Sequence, residues 1–243
     1  MFRRILLTAL IAGTIAGLVV SLAQRARVIP LIQLAETYEE AAGAQAPSGQ
    51  MIGGHGPAGV IDSHGAAAAS EGDVWEPADG VERIAYTVLA NTISGIGFAL
   101  LLVAAFALAG RRLDWRRGLL WGLGGFAAFA LAPGLGLPPA PPGAAESDLV
   151  LRQLWWLGTV AGTVLGLAVA VFAPRWPHKL AGLLLLAVPH VVGAPTAQGT
   201  ALIPPGLALE FAIASLATAL VFWLVLGGLA AHFFVRLAPQ PGD

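Results

Sequence analysis

The sequence predicts an all-α fold, a polytopic integral membrane bundle of about six transmembrane helices, or five if one short segment does not cross. Three observations predict it. Of the 243 residues, 57% are hydrophobic and 11% charged, where soluble domains carry roughly 25% charged residues, and the mean hydropathy is +0.77. Long uncharged apolar runs recur along the chain, matched to the roughly 20 residues that cross about 30 Å of hydrocarbon. Glycines recur at four-residue spacing within those runs, the pattern that lets helices approach closely in lipid.

The first predicted span is Ile5–Ala23, preceded by Arg3 and Arg4 and carrying Gly13 and Gly17 as a GxxxG pair. A cleaved signal peptide ending at Ser21-Leu22-Ala23 is the rival reading. Beyond it, LIQLAETYEE reads as an amphipathic segment in which Glu36, Glu39 and Glu40 fall on about one helical turn. From residue 41 to residue 79 the chain turns to Gly, Ala, Ser and Pro with no packing period, so it reads as a flexible extramembrane loop within a single membrane domain, 1–243. His55 and His64 of that loop could hold a metal loosely, but two solvated ligands nine positions apart are a weak signal, and a plain linker is the rival reading.

The second span, Ile84–Ala109, places Thr87, Asn91 and Ser94 on one side, a polar stripe suited to interhelical hydrogen bonds or to lining a polar path. The loop RRLDWRR follows. Gly118–Leu137 is the third span, with Gly118 and Gly122 four apart and Pro133-Gly134 near its far end. Leu154–Ala173 is the fourth, opened by the interfacial pair Trp155-Trp156 and carrying Gly158, Gly162 and Gly166 as a helix-contact face. Leu180–Ala194 is a short, proline-interrupted fifth span. The sixth runs from Leu207 to Val235.

Basic residues orient these spans. With six crossings and a cytoplasmic N-terminus, one side receives Arg3, Arg4, Arg111, Arg112, Arg116, Arg117, Arg175, Lys179 and Arg236, and the other Arg25, Arg27, Arg83 and Arg152. The positive-inside rule therefore puts both termini in the cytoplasm and the 24–83 loop outside.

Several chemistries are absent. There is no cysteine, so thiolate metal sites, disulfides and cysteine nucleophiles are excluded, and the single lysine, Lys179, opens no P-loop. No HExxH, GxSxG or dinucleotide fingerprint is present, and a net charge of -1 offers nothing to nucleic acid. The reading is a non-enzyme with no nucleotide site. What remains are ionisable groups in apolar segments: His190, directly after the helix-interrupting Pro189, and Glu210, the only carboxylate within an apolar segment of the second half. A ring bonded to a freed carbonyl, and a carboxylate in interfacial water at a helix start, account for them without function.

The opening MFRRILLTALIAGTIAGLV with LAETYEE, the block RRGLLWGLGGFAAFALAPGLGLPP, RQLWW, PHVVGAP and FWLVLGGL together resemble the CbtA-type predicted cobalt transporter subunits. The resemblance covers nearly the whole chain outside 41–79. It implies cation uptake across the bacterial cytoplasmic (inner) membrane linked to cobalamin synthesis, a small single-span, histidine-bearing CbtB-type partner, and five spans where six are counted. No permanent cofactor is implied, Co(II) or Ni(II) being cargo. A metal set of His190 and Glu210 with Glu36 or Glu40, and with His55 and His64 on the same side, suits cobalt(II), which accepts imidazole and carboxylate. A membrane scaffold that packs with partner subunits through its glycine faces is the other reading.

Overall fold

The structure is a computed structural model that describes residues 1–45, 80–110 and 113–238. Its elements, in chain order, are α1 (Phe2–Gln45), α2 (Val81–Ala109), α3 (Trp115–Phe126), a π-helical turn (Ala127–Leu131), α4 (Ala132–Gly136), α5 (Leu149–Phe172), α6 (Trp176–Val192) and α7 (Pro205–Arg236). No strand is formed among the described residues; the one isolated backbone bridge joins Glu146 and Gln198. In lipid a helix satisfies its backbone internally, which is why apolar composition leads directly to this all-α bundle.

Among the described residues, five helices are long and apolar enough to cross a membrane: α1, α2, α3 continued through α4, α5 and α7. The remaining one, α6, has 17 residues, or about 25 Å, and falls short of that length. It nonetheless returns the chain along α5. Gly182 lies against Gly166, Pro189 against Gly162, and the Trp155 indole donates to the Pro189 carbonyl at 3.3 Å. Pro189 does not end the helix as the sequence suggests, because it sits in the last turn, and its carbonyl also accepts from Gly193 N.

Sequence reading separates span one from the amphipathic LIQLAETYEE segment, whereas α1 runs unbroken for 44 residues through Pro30. The N-terminal half of α1 packs into the core: Ala9, Ala12 and Ala16 are fully buried. Near Pro133 the helix widens instead of breaking. Proline lacks an N–H and crowds the carbonyl four residues back, and the π turn, closed by Ala132 N donating to Ala127 O, relieves that crowding.

α1 packs antiparallel on α2 and α7, and α3 antiparallel on α7, enclosing a core of Phe98, Phe106, Phe129, Phe222, Trp223 and Leu226. Small residues set these distances. A Cβ on Gly13 would lie 2.5 Å from Ile96 Cα, and one on Gly122 would collide with the Trp223 carbonyl oxygen. At one end the Arg4 guanidinium donates to the Phe234 carbonyl at 2.5 Å and lies over the Phe234 ring at 3.6 Å, so α1 begins where α7 ends. The first turn of α1 and the last of α7 therefore lie at the same end of the bundle.

Candidate functional site

The membrane boundaries follow from α1. Arg4 and Arg25 are separated by 21 positions, about 31 Å of helix, which matches the hydrocarbon thickness. The rest of α1, from Arg25 to Gln45, projects beyond it. Ala35 packs there with Ile203 and Leu207, supported by Leu31, Ala144 and Ala208, so a second small apolar cluster closes over the far end of the bundle. Backbone bonds tie the connections to it: Leu202 N donates to Gly143 O at 2.8 Å and Gln198 N to Glu146 O at 3.0 Å.

The candidate polar groups gather at this end. Glu36 is paired with Arg83 at 2.8 Å, linking the α1 extension to the start of α2. Glu40 is exposed, and Glu39 lies near Gly143. Glu146 pairs with Arg152 at 2.9 Å, and Asp148 caps α5 by accepting from Leu151 N. His190 is exposed in the last turn of α6, its ring edge-on to Trp155 at 6.1 Å. Because Ala194 and Trp155 both border Gly136, and Gly134 borders Leu216, His190 stands level with the boundary of the hydrocarbon at this end of the bundle. Glu210 occupies an exposed α7 stripe with Gly206, Ile213, Ala217 and Val221, opposite the buried Phe211, Phe222 and Leu226.

The depth of Glu210 follows from the antiparallel α1–α7 register. Ala35 stands level with Ile203 and Leu207, so Arg25, ten positions earlier, stands level with about residues 213–217 of α7. Glu210 is thus roughly 5–10 Å outside the hydrocarbon layer. His55 and His64 lie outside the described residues. Among the described residues, no group of three or more His, Asp or Glu side chains could hold a metal ion. The arrangement thus offers single imidazole and carboxylate donors around one end of the bundle rather than a closed cage.

A family model for the probable cobalt transporter subunit, CbtA, matches residues 2–235. The chain belongs to the CbtA family. No curated protein and no solved structure matches it. For a CbtA-family chain the match runs from the first turn of α1 to the last of α7, so all the helices described above fall within the family.

Sequence reasoning about this CbtA-family chain did not find two long-range contacts at this end. Arg83 pairs with the Glu36 carboxylate from 47 positions away, and Gln198 N donates to the backbone carbonyl of the distant Glu146; no local spacing signals either contact. The polar stripe of α2 is resolved in part. Asn91 donates to Ser21 Oγ at 3.0 Å and Gln24 Oε1 at 2.6 Å across α1, whereas Thr87 bonds back to Arg83 O and Ser94 is exposed. Asn91 is therefore interhelical glue at the edge of the hydrocarbon.

Proposed function

We propose that this chain is the membrane-spanning subunit through which cobalt(II) is taken up across the bacterial cytoplasmic membrane in support of cobalamin synthesis, acting as a transport subunit and not as an enzyme. The observation that carries the proposal is the family match over residues 2–235, which encompasses the entire helical bundle. The charge distribution supports the orientation. Arg3, Arg4, Arg116, Arg117, Arg175, Lys179 and Arg236 lie towards the end where α1 begins and α7 ends, and Glu36, Glu39, Glu40, Glu146 and Glu210 towards the other. Positive-inside logic makes the first end cytoplasmic and the 24–83 stretch external.

In this reading Glu40, Glu210 and His190 receive the ion on the outer side, with Glu36 exchanging Arg83 for the cation and with His55 and His64 as further donors. Dispersed oxygen and nitrogen ligands suit transport, because the ion must also be released. The same donors accept nickel(II), so donor type does not discriminate between the two. A small single-span, histidine-bearing CbtB-type subunit completes the system. The test is radiocobalt uptake by cells with and without this chain, alone and with that partner, together with His190→Ala and Glu210→Gln at matched membrane abundance. Each variant is expected to lower uptake; wild-type uptake in both removes those two residues from the proposal, and uptake that does not depend on the chain refutes the transport reading itself.

One observation favours a scaffold role as a second reading. Gly97 of α2 and Gly158 of α5 meet nothing within 4 Å, so a further helix could approach closely at either.

A further inference from the structure

Interhelical packing in this protein is of two kinds. Within the bundle of α1, α2, α3 and α7, backbones touch through Gly13, Gly95, Gly118, Gly122 and Gly227, and the large buried cluster includes no residue of α5 or α6. Within the α5–α6 hairpin, Gly166 and Gly182 interlock in the same way. Backbones in such contact cannot slide without collision.

The seam between these two units is built differently. Hairpin and bundle meet through ring contacts, Phe129 with Trp156 at 6.3 Å and Trp121 with Phe172 at 6.0 Å, and α5 reaches the bundle at the π turn and α4. A groove-like cavity of about 210 Å³ lies beside the outer end of this seam, where Phe129, Pro133, Leu137, Leu216 and Ala219 of the bundle face Trp156 of the hairpin. Side chains that border a void lack partner atoms on one side, so displacement there forfeits little contact. The bundle wall at this place is also its least regular backbone, the π turn followed by Pro133. At the outer end, by contrast, both connections to the hairpin are pinned by Gln198 N to Glu146 O, Leu202 N to Gly143 O and the Glu146–Arg152 pair.

We infer that the α5–α6 hairpin is a rigid unit that rocks against the four-helix bundle about a pivot at the outer loops, opening and closing the seam towards the end where α1 begins and α7 ends. A tilt of about 10°, smaller than the roughly 15° of known subunit rotations, swings the far end of a unit about 25 Å long by about 4 Å. The inference goes beyond the transport reading and does not require it.

The chain contains no cysteine, so paired spin labels can be introduced without background. Three pairs of exposed positions in lipid nanodiscs test the motion by electron–electron distance measurement: Lys179 with Val235 across the seam at the inner end, Leu151 with Leu209 across it at the outer end, and Leu108 with Val235 within the bundle. The inner cross-seam pair is expected to give a bimodal or broadened distribution spread over about 4 Å more than the other two. An inner distribution as narrow as that within the bundle overturns the inference, and an outer pair as broad as the inner one overturns the pivot. Filling the groove with Ala219→Phe provides a second readout, since it should narrow the inner distribution; an unchanged width contradicts the role of the cavity.

Discussion

Replacing Gly13 with alanine isolates the energy of one backbone-to-backbone contact. The added Cβ would stand 2.5 Å from both Ile96 Cα and Ile96 N and 2.7 Å from Gly95 C, whereas ordinary contact begins at 3.4 Å, so α1 and α2 must separate locally by about 1 Å. None of these atoms belongs to a side chain that could rotate away. Overpacking of this kind costs about 1–3 kcal/mol. Alanine also raises helix propensity by up to about 1 kcal/mol, which would mask part of the loss. Gly158→Ala supplies the control: it makes the same chemical change in a helix of similar apolarity but meets nothing within 4 Å. Subtracting the two cancels propensity and leaves overpacking, a ratio of roughly 5 to 150 in the folded population. The same 1 Å displacement also stretches the Asn91 bonds to Ser21 and Gln24 close by. Unfolding of both variants by titration with a denaturing detergent, followed by tryptophan fluorescence, measures the difference. If Gly13→Ala unfolds together with or after Gly158→Ala, the glycine-contact account of the α1–α2 interface is wrong.

Two further outcomes follow from the same packing. Asn91→Val removes two interhelical hydrogen bonds at about 0.6 kcal/mol each and should destabilise by about 1 kcal/mol in the same titration; a variant as stable as wild type would show that the amide contributes nothing. Arg4→Met removes the bond to the Phe234 carbonyl and the ring contact that joins the first turn of α1 to the end of α7, at a cost of about 1–2 kcal/mol, and amide hydrogen exchange should rise first at Phe233–Arg236. Exchange that rises equally throughout α7 would refute the clamp.

The helices were legible because their signal is local. Apolar content over some 20 residues leads to a helix in lipid whatever its neighbours do, so α2, α5 and α7 lie close to where hydropathy places them. Boundaries near prolines were less legible. Pro30 lies within a continuous helix, Pro189 is absorbed into the last turn of α6, and Pro133 is accommodated by a π turn; in each case tertiary packing and a small backbone adjustment override a strong local breaker. Glycine spacing signalled close packing but not its partner. Gly162 and Gly166 do meet another helix, α6, while Gly158, in the same register, faces open space. A partner-binding test at Gly162 would consequently disturb the α5–α6 hairpin, and Gly158 is the informative position.

The candidate site divides along the same line. Composition settles the solvent, the helical class and the kinds of donor available, since these depend only on which residues are present: no thiols, one lysine, and a few histidines and carboxylates at the ends of apolar runs. It cannot settle which face of a helix points inward, because an apolar surface is equally at home against lipid and against another helix. Glu210 illustrates this: its place in α7 is evident from the sequence, but its outward-facing stripe, away from Phe211 and Phe222, exists only once α1 and α3 have taken their sides of the helix. The Glu36–Arg83 and Arg4–Phe234 contacts depend in the same way on assembly, joining residues 47 and 230 positions apart. Local chemistry determines the elements, and packing among nearly interchangeable apolar surfaces determines which polar groups meet.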